Sequence, residues 1–344
     1  MVSVGFVLSH EQFPAPRLLD LGVQAEEAGF DMVWTSDHFH PWMHNQGHSG
    51  QAWVTLAALG QRLKRIPMGT GVTCPTYRYH PAIVAQAFAS LGVLYPGRVF
   101  LGVGSGEAIN EEAVTNTWGD YDERSERLKE AITLIRQLWT GNWTNYNGDY
   151  YETKDVRLYD IPEQGIPIFV AAGGESSMEL AGMHGDGLIT DAEAASTDKL
   201  RDAFSTGARA AAKRPEQMPI CSESFVFVGD AKEADHAAKL WRFIVHSWDK
   251  YVENPDPRAI LEDAKKNIAL DEVKKQWVIG SDPQTHIESI EKQAEAGVTH
   301  IFIHSGQEDQ ESVIDFYAKE VLPNVNHELM EPSKHLVHEM QVTS

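Results

Sequence analysis

The chain has little cysteine, no long apolar run and too few basic side chains to balance its acids. Its two cysteines, Cys74 and Cys221, cannot make a disulfide framework, and their separation is not that of a zinc site. A reducing, cytoplasmic setting is expected. No stretch approaches the roughly 18 uninterrupted apolar residues of a membrane span, and the apolar run 1–8 lacks the basic leader of a signal. Lysine and arginine number 29 against 50 aspartates and glutamates, a formal charge of -21. That excess predicts neither a nucleic-acid nor a membrane partner, and leaves a small molecule as the substrate. Internal repeats and low-complexity tracts are absent too.

What the chain does have is 344 residues, 42% of them hydrophobic, enough for a large core. Short apolar runs alternate with amphipathic stretches, the pattern of βαβ units on a parallel sheet. Val2–Leu8, Asp31–Ser36, Pro67–Val72 and Arg98–Val103 read as four strands, separated by helices at Pro16–Ala28, Gln51–Leu63 and Pro81–Leu94. Arg124–Leu138 is a fourth helix. The rhythm breaks at Gly141–Tyr159, where alternation around a central Asn-Gly predicts an inserted hairpin. Four more strands follow at Pro167–Ala172, Gly187–Thr190, Met218–Val228 and His300–His304. Helices are expected at Ser176–His184, Thr197–Ala212, Ala231–Val245, Pro283–Ala296 and Gln310–Val321, with a charged helical insertion, Asn254–Lys275, before the last strand. The class is α/β: a (β/α)8 TIM barrel, with insertions after helix four and between strands seven and eight. One domain covers 1–325, and 326–344 is a polar, irregular tail. The Pro81–Leu94 helix lacks a polar face, which suggests burial against a second subunit or an added segment.

In such a barrel the residues at strand C-terminal ends carry the chemistry. After the second strand comes His38–His48, HFHPWMHNQGH, with Asp37 before it. Four histidines suggest zinc or iron, but their spacing puts no set on one side of an element, and no cysteine or clear carboxylate accompanies them. Alternatively His38 is a proton acceptor and Trp42 a pocket wall. His40, His44 and His48 then satisfy loop backbone, and no metal is expected. After the fourth strand comes GVGSGEAINE, holding Gly106, Glu107 and Asn110. It lacks the third glycine of a dinucleotide fingerprint. It is either a flat-ring approach with Glu107 projecting inward, or a plain turn. After the fifth comes AAGGESS, where the Gly173, Gly174, Ser176 and Ser177 backbone and hydroxyls either hold a phosphate or make a capped turn.

Several segments then carry a resemblance: HEQF (10–13), SDHFHPW (36–42), GVTCPTYRYHPAIVAQAFA (71–89), YPGRVFLGVGSGEAINE (95–111), AAGG (171–174) and GDG (185–187). In this order the chain resembles the luciferase-like flavin and deazaflavin superfamily. Within it, the chain is similar to the branch of coenzyme F420-dependent dehydrogenases acting on glucose-6-phosphate or secondary alcohols. The resemblance implies that His38 takes the alcohol proton, that Trp42 packs near the deazaflavin and the substrate oxygen, and that Glu107 manages a proton under the ring. It implies cofactor contacts from Asp37, Gly71, Val72, Thr73, Gly106, Asn110, Gly173, Gly174, Ser176 and Ser177, and a non-prolyl cis peptide near Gly71–Val72. Glu11, Asp191, Lys250, Tyr251 and Gln276 would meet the substrate. It also implies a homodimer.

Departures from the pattern concern the substrate. The sugar-phosphate enzymes of this type bind the phosphate through lysines and an arginine. The stretch after strand six is here TDAEAAS, with no lysine before Lys199, and the arginine slot before Trp277 is Gln276. Losing these cations disfavours a dianion. The expected reaction is hydride transfer from a neutral secondary alcohol or unphosphorylated sugar to F420. The alternatives are an F420-dependent glucose-6-phosphate dehydrogenase and an FMN-dependent luciferase-like monooxygenase.

Overall fold

The structure is a computed structural model that describes residues 2–325, so the expected tail at 326–344 lies outside the described residues. In chain order it places β1 (Ser3–Leu8), α1 (Ala15–Ala28), β2 (Met32–Thr35), α2 (Ala52–Gly60), β3 (Met68–Thr70), α3 (Pro81–Leu94) and β4 (Val99–Val103). After these come α4 (Glu112–Thr115), α5 (Tyr121–Trp139), the hairpin β5 (Thr144–Asn147) and β6 (Glu152–Val156), β7 (Ile168–Ala171), α6 (Glu175–His184) and β8 (Gly187–Ile189). The remainder is α7 (Ala192–Ser196), α8 (Asp198–Ala210), β9 (Ile220–Phe227), α9 (Asp235–Leu240), α10 (Pro257–Asn267), α11 (Leu270–Lys274), β10 (Val278–Ile279), α12 (Pro283–Glu295), β11 (His300–Ser305) and α13 (Gln310–Phe316).

The main sheet runs β9-β11-β1-β2-β3-β4-β7-β8 and closes by pairing β8 with β9, every ladder parallel. This is the TIM barrel expected from the alternating pattern. Local chemistry agrees with it. Gly29 ends α1 at φ 95, where a side chain would be strained, and Asp120, Asp282 and Asp309 cap α5, α12 and α13 through their carboxylates. The antiparallel hairpin stands where the Asn-Gly turn predicts it.

One expectation is corrected, and two details are added. The single long helix at Ala231–Val245 is instead α9 followed by a 3-10 turn, Arg242–His246. Trp241 breaks it: its indole turns inward to donate to Gln12 Oε1 at 3.0 Å, at φ -122. The insertion before the last barrel strand is helical as expected, made of α10 and α11. An unforeseen strand, β10, adds to the barrel beside β9.

The barrel interior is plugged low down. Trp34 and Phe302 stack with centroids 3.6 Å apart, beside Phe100, Phe169, Cys221, Val7 and Met32. Side chains alternate along each strand, so residues two positions beyond this plug face inward again, one layer nearer the mouth. On β1, β2, β9 and β11 those are Ser9, Ser36, Glu223 and His304. On the far side, at β3, β4 and β7, they are Gly71, Gly102 and Ala171. One half of the floor is polar and the other almost bare backbone.

Candidate active site

The polar half is built around Glu11 and His38. Glu11 is buried and accepts from the Ser36 hydroxyl at 2.6 Å and the Ser9 hydroxyl at 2.8 Å. Its other oxygen lies 3.5 Å from His38 Nε2. Burial pushes the Glu11 carboxyl up, but the His38 imidazole and the two hydroxyls outweigh it and hold it below the ordinary carboxylate value. On the other edge of the ring, His38 Nδ1 lies 3.1 Å from the His40 carbonyl and 3.1 Å from Asn110 Nδ2. Asn110 cannot turn freely, because its oxygen accepts from Phe39 N–H at 2.8 Å and His40 N–H at 3.3 Å. Its amide N–H is thereby aimed at Glu107, 3.1 Å away. With the carboxylate as the better acceptor for that amide, Nδ1–H donates to the His40 carbonyl. Nε2 is left to receive a proton beside Glu11.

Glu11, His38, Asn110 and Glu107 thus form one contiguous line of polar side chains, drawn from the loops after β1, β2 and β4. Trp42 flanks it, its ring 5.8 Å from His38 and stacked on Phe243 at 4.8 Å. The remaining histidines of the loop do not gather: among the described residues no group of three or more His, Cys, Asp or Glu side chains could hold a metal ion.

Behind the line lies a buried charge cluster. Asp37 accepts from Thr73 at 2.7 Å and from Tyr79 at 3.3 Å, and Arg78 bridges it at 3.4 Å to Glu111, also at 3.4 Å. The side chains of Asp37 and Thr73 are therefore spent on each other, and they support the histidine loop from beneath. Burial pushes the Glu111 carboxyl up to about 7, despite the neighbouring Arg78 cation. A carboxyl that binds its proton more tightly when folded stabilises the protein below its unfolded value. That contribution is lost as pH rises from 4.5 through about 7. Glu111→Gln should flatten the fall in unfolding free energy across that window, measured by urea titration at its two ends. An unchanged slope would show that Glu111 is already charged there.

The bare half of the floor is shaped by glycines. A Cβ on Gly71 would lie 2.6 Å from the Trp34 ring, and one on Gly102 would lie 1.9 Å from the Thr70 carbonyl. Gly104 would meet Val72 at 2.9 Å, and Gly106, at φ 86, would meet Cys74 at 2.5 Å. The Gly71–Val72 peptide is cis, as the family resemblance implies. Gly173 and Gly174 open α6 at the surface, and a Cβ added at Gly173 would meet nothing within 4 Å; their N–H groups donate to the Ser177 hydroxyl at 3.3 and 3.0 Å. Ser176 is exposed beside them.

A family model for luciferase-like monooxygenases matches residues 2–300. The chain belongs to this family. It is 49% identical to the F420-dependent hydroxymycolic acid dehydrogenase of Mycobacterium tuberculosis, over 94% of this chain and 88% of that one. It is 40% identical to an F420-dependent glucose-6-phosphate dehydrogenase of Amycolatopsis mediterranei, over 94% and 99%. The solved structure of an F420-dependent secondary alcohol dehydrogenase, in complex with an F420-acetone adduct, superposes with TM-score 0.89 at 34% identity, over 94% of this chain and 99% of that one.

Within this luciferase-like frame the expected substrate contacts separate. Glu11 is central. Asp191 spends its carboxylate capping α7, accepting from Ala194 N–H at 2.7 Å. Lys250 is ion-paired with Asp263, which also accepts from the buried Tyr251 hydroxyl at 2.7 Å; Gln276 is exposed. Glu223 and His304 escaped the sequence reading altogether. They sit inside β9 and β11, not in the loops after strand ends where polar residues stand out in sequence. Their signal was a polar residue at an inward position of an otherwise apolar strand.

Proposed function

We propose that the chain is an F420-dependent dehydrogenase that oxidises a neutral secondary alcohol or an unphosphorylated sugar to the carbonyl compound. The observation that carries this reading is the Glu11–His38–Asn110–Glu107 line standing beside a glycine floor. The residues present fit the cofactor: Gly71, Val72, Ser105 and Gly106 are partly exposed beside Glu107, a small-residue surface suited to a flat ring, and the Gly173–Ser177 turn at the start of α6 offers N–H and hydroxyl groups to a phosphate. When bound, the deazaflavin supplies a carbon that accepts the hydride. His38 Nε2 takes the hydroxyl proton as the C–H bond gives up its electron pair and the carbonyl forms. Glu11 meets the resulting imidazolium at Nε2. Glu107 exchanges a proton on the ring side, with Asn110 fixing both it and the His38 loop. Trp42 and Phe243 wall the reacting carbon from water.

Charge supports a neutral over a phosphorylated substrate. Lys250 is neutralised by Asp263 and Arg78 is held by Asp37 and Glu111, while Glu11, Glu107 and Glu223 contribute carboxylates around the floor. A dianion would enter against these charges. Apoprotein titrated separately with F420 and FMN, then assayed on alcohols, sugars and glucose-6-phosphate, tests the reading. Loss of the oxidised deazaflavin absorbance should be fastest with a neutral alcohol. Tight FMN binding with oxygen consumption, or glucose-6-phosphate turnover matching every neutral substrate, would overturn it.

Ile83, Val93 and Leu94 on α3 and Val54 on α2 are exposed apolar side chains on neighbouring helices. They support a homodimer joined through this face, which light scattering would refute by a monomer mass. The buried free thiols of Cys74 and Cys221 suit a reducing cytoplasm. No described helix is long and apolar enough to cross a membrane.

A further inference from the structure

Two inward-facing groups on the floor take no part in the proton path above. Ser222 and Ser224 on β9 bond to Gln293 of α12, at 2.7 and 3.2 Å, so they face the helices. Cys221 joins the interior plug. Glu223, between the two serines, therefore projects into the barrel, one layer above Cys221. His304 on β11 does the same above Phe302, and its Nδ1 lies 2.6 Å from Glu223 Oε1.

The pair is uneven. The His304 side chain is 5% exposed and its Nε2 is buried without a partner, whereas the Glu223 side chain is 30% exposed. A pair serving packing alone would be covered on both members. Here the imidazole is clamped between Phe225 at 4.3 Å and Trp241 at 4.5 Å, which fixes the carboxylate it holds. The second Glu223 oxygen has no hydrogen-bond donor among the described residues. The plug closes the barrel below, so the exposed carboxylate opens toward the mouth, where His38 lies.

Spacing sets what could use it. Neighbouring strands lie about 4.8 Å apart, and β11 and β1 stand between β9 and β2. Glu223 and His38 thus reach inward from backbones roughly 10–15 Å apart, a separation that one small molecule with two hydroxyls can span. Beyond Glu223 the wall is aromatic: Phe225 stacks on Trp277 at 6.1 Å, a surface suited to the carbon face of a polyhydroxylated ring.

We propose that Glu223, oriented by His304, accepts a hydrogen bond from a second hydroxyl of the substrate. The preferred substrate is then a neutral polyol, with one hydroxyl oxidised at His38 and another anchored at Glu223. Glu223 contacts substrate; His304 is a positioning residue. The inference rests on the proposed dehydrogenase reading for its catalytic consequence, though not for the binding it predicts.

The test compares cyclohexanol with the isomeric cyclohexanediols, using the F420-loaded enzyme. The best diol should exceed cyclohexanol in kcat/KM by roughly tenfold or more, the effect of one hydrogen bond to a charged acceptor, and the gain should lie in KM. Glu223→Gln should shrink the ratio toward one, and His304→Gln should shrink it part-way, with F420 affinity and Tm reported alongside to register any unfolding. Calorimetry of the same diol on wild type and Glu223→Gln should show a matching loss of affinity. A wild type with no diol preference, or a Glu223→Gln change equal for both substrates, overturns the inference. If no alcohol reduces F420, the dehydrogenase reading fails by itself; diol binding that is lost in Glu223→Gln still sustains the anchor, and diol binding that is unaltered removes it.

Discussion

His38→Ala is expected to slow hydride transfer by roughly a hundred- to ten-thousandfold, the usual worth of a positioned general base, while F420 affinity changes little. The expectation follows from where the ring sits. Its Nε2 faces a carboxylate at 3.5 Å and its Nδ1 is occupied by the His40 carbonyl at 3.1 Å, so one nitrogen is committed to orientation and the other to the proton. Alanine keeps the loop, since the Asn110 contacts to the Phe39 and His40 backbone do not involve the imidazole. Single-turnover absorbance of the deazaflavin reads the chemical step, and a fluorescence titration reads the cofactor. A variant that loses cofactor affinity but keeps the rate of hydride transfer would demote His38 to a structural residue.

The second large effect is expected at Glu11. Glu11→Gln should lower kcat by roughly 10–100-fold, the cost of losing a charged partner for the imidazolium. Glutamine can still accept from Ser9 and Ser36, so the fold loses little. Its remaining amide would offer N–H groups to His38 Nε2, which suits the neutral ring and opposes the protonated one. The pH dependence carries a sign. Because the Glu11 carboxyl is held below its ordinary 4.5, its charge is present above that value and is lost only as pH falls through a lower one. The wild-type advantage over Glu11→Gln should therefore persist into mildly acidic buffer. An advantage that vanished near the ordinary carboxylate value would show that the site does not hold this carboxylate ionised.

Both effects involve residues that were legible early. His38, Trp42 and Glu107 stand just past strand ends, where the polar residues of a barrel interrupt apolar runs. The glycines after strand four could be read as a site for a flat ring, but Gly71 and Gly106 follow different strands, and only the pairing of β3 with β4 brings them to one wall. The hydrogen bond from Thr73 to Asp37 could not be read from the sequence; a buried carboxylate needs its lone pairs filled, and the loop after β3 supplies the donor. Lys250 is expected from the resemblance to meet the substrate; in the structure it pairs with Asp263, on a helix of the insertion.

The long helix expected at Ala231–Val245 fails for a related reason. Its apolar residues have helical spacing, but Trp241 and Phe243 are drawn toward Gln12, His304 and Trp42, contacts with no trace in local periodicity. Burying those aromatic rings outweighs the modest gain of extending one helix by a turn.

The sequence by itself determined the barrel, the inserted hairpin and the loop that bears His38, because these depend on periodicity of 2 or 3.6, on turn residues and on polar interruptions that neighbours along the chain record. Only the tertiary structure decided that Glu11 partners His38, that Asn110 ties it to Glu107 and that Glu223 stands beside His304. Those pairs join strands that are far apart in sequence, and closing the barrel alone sets which inward positions share a layer.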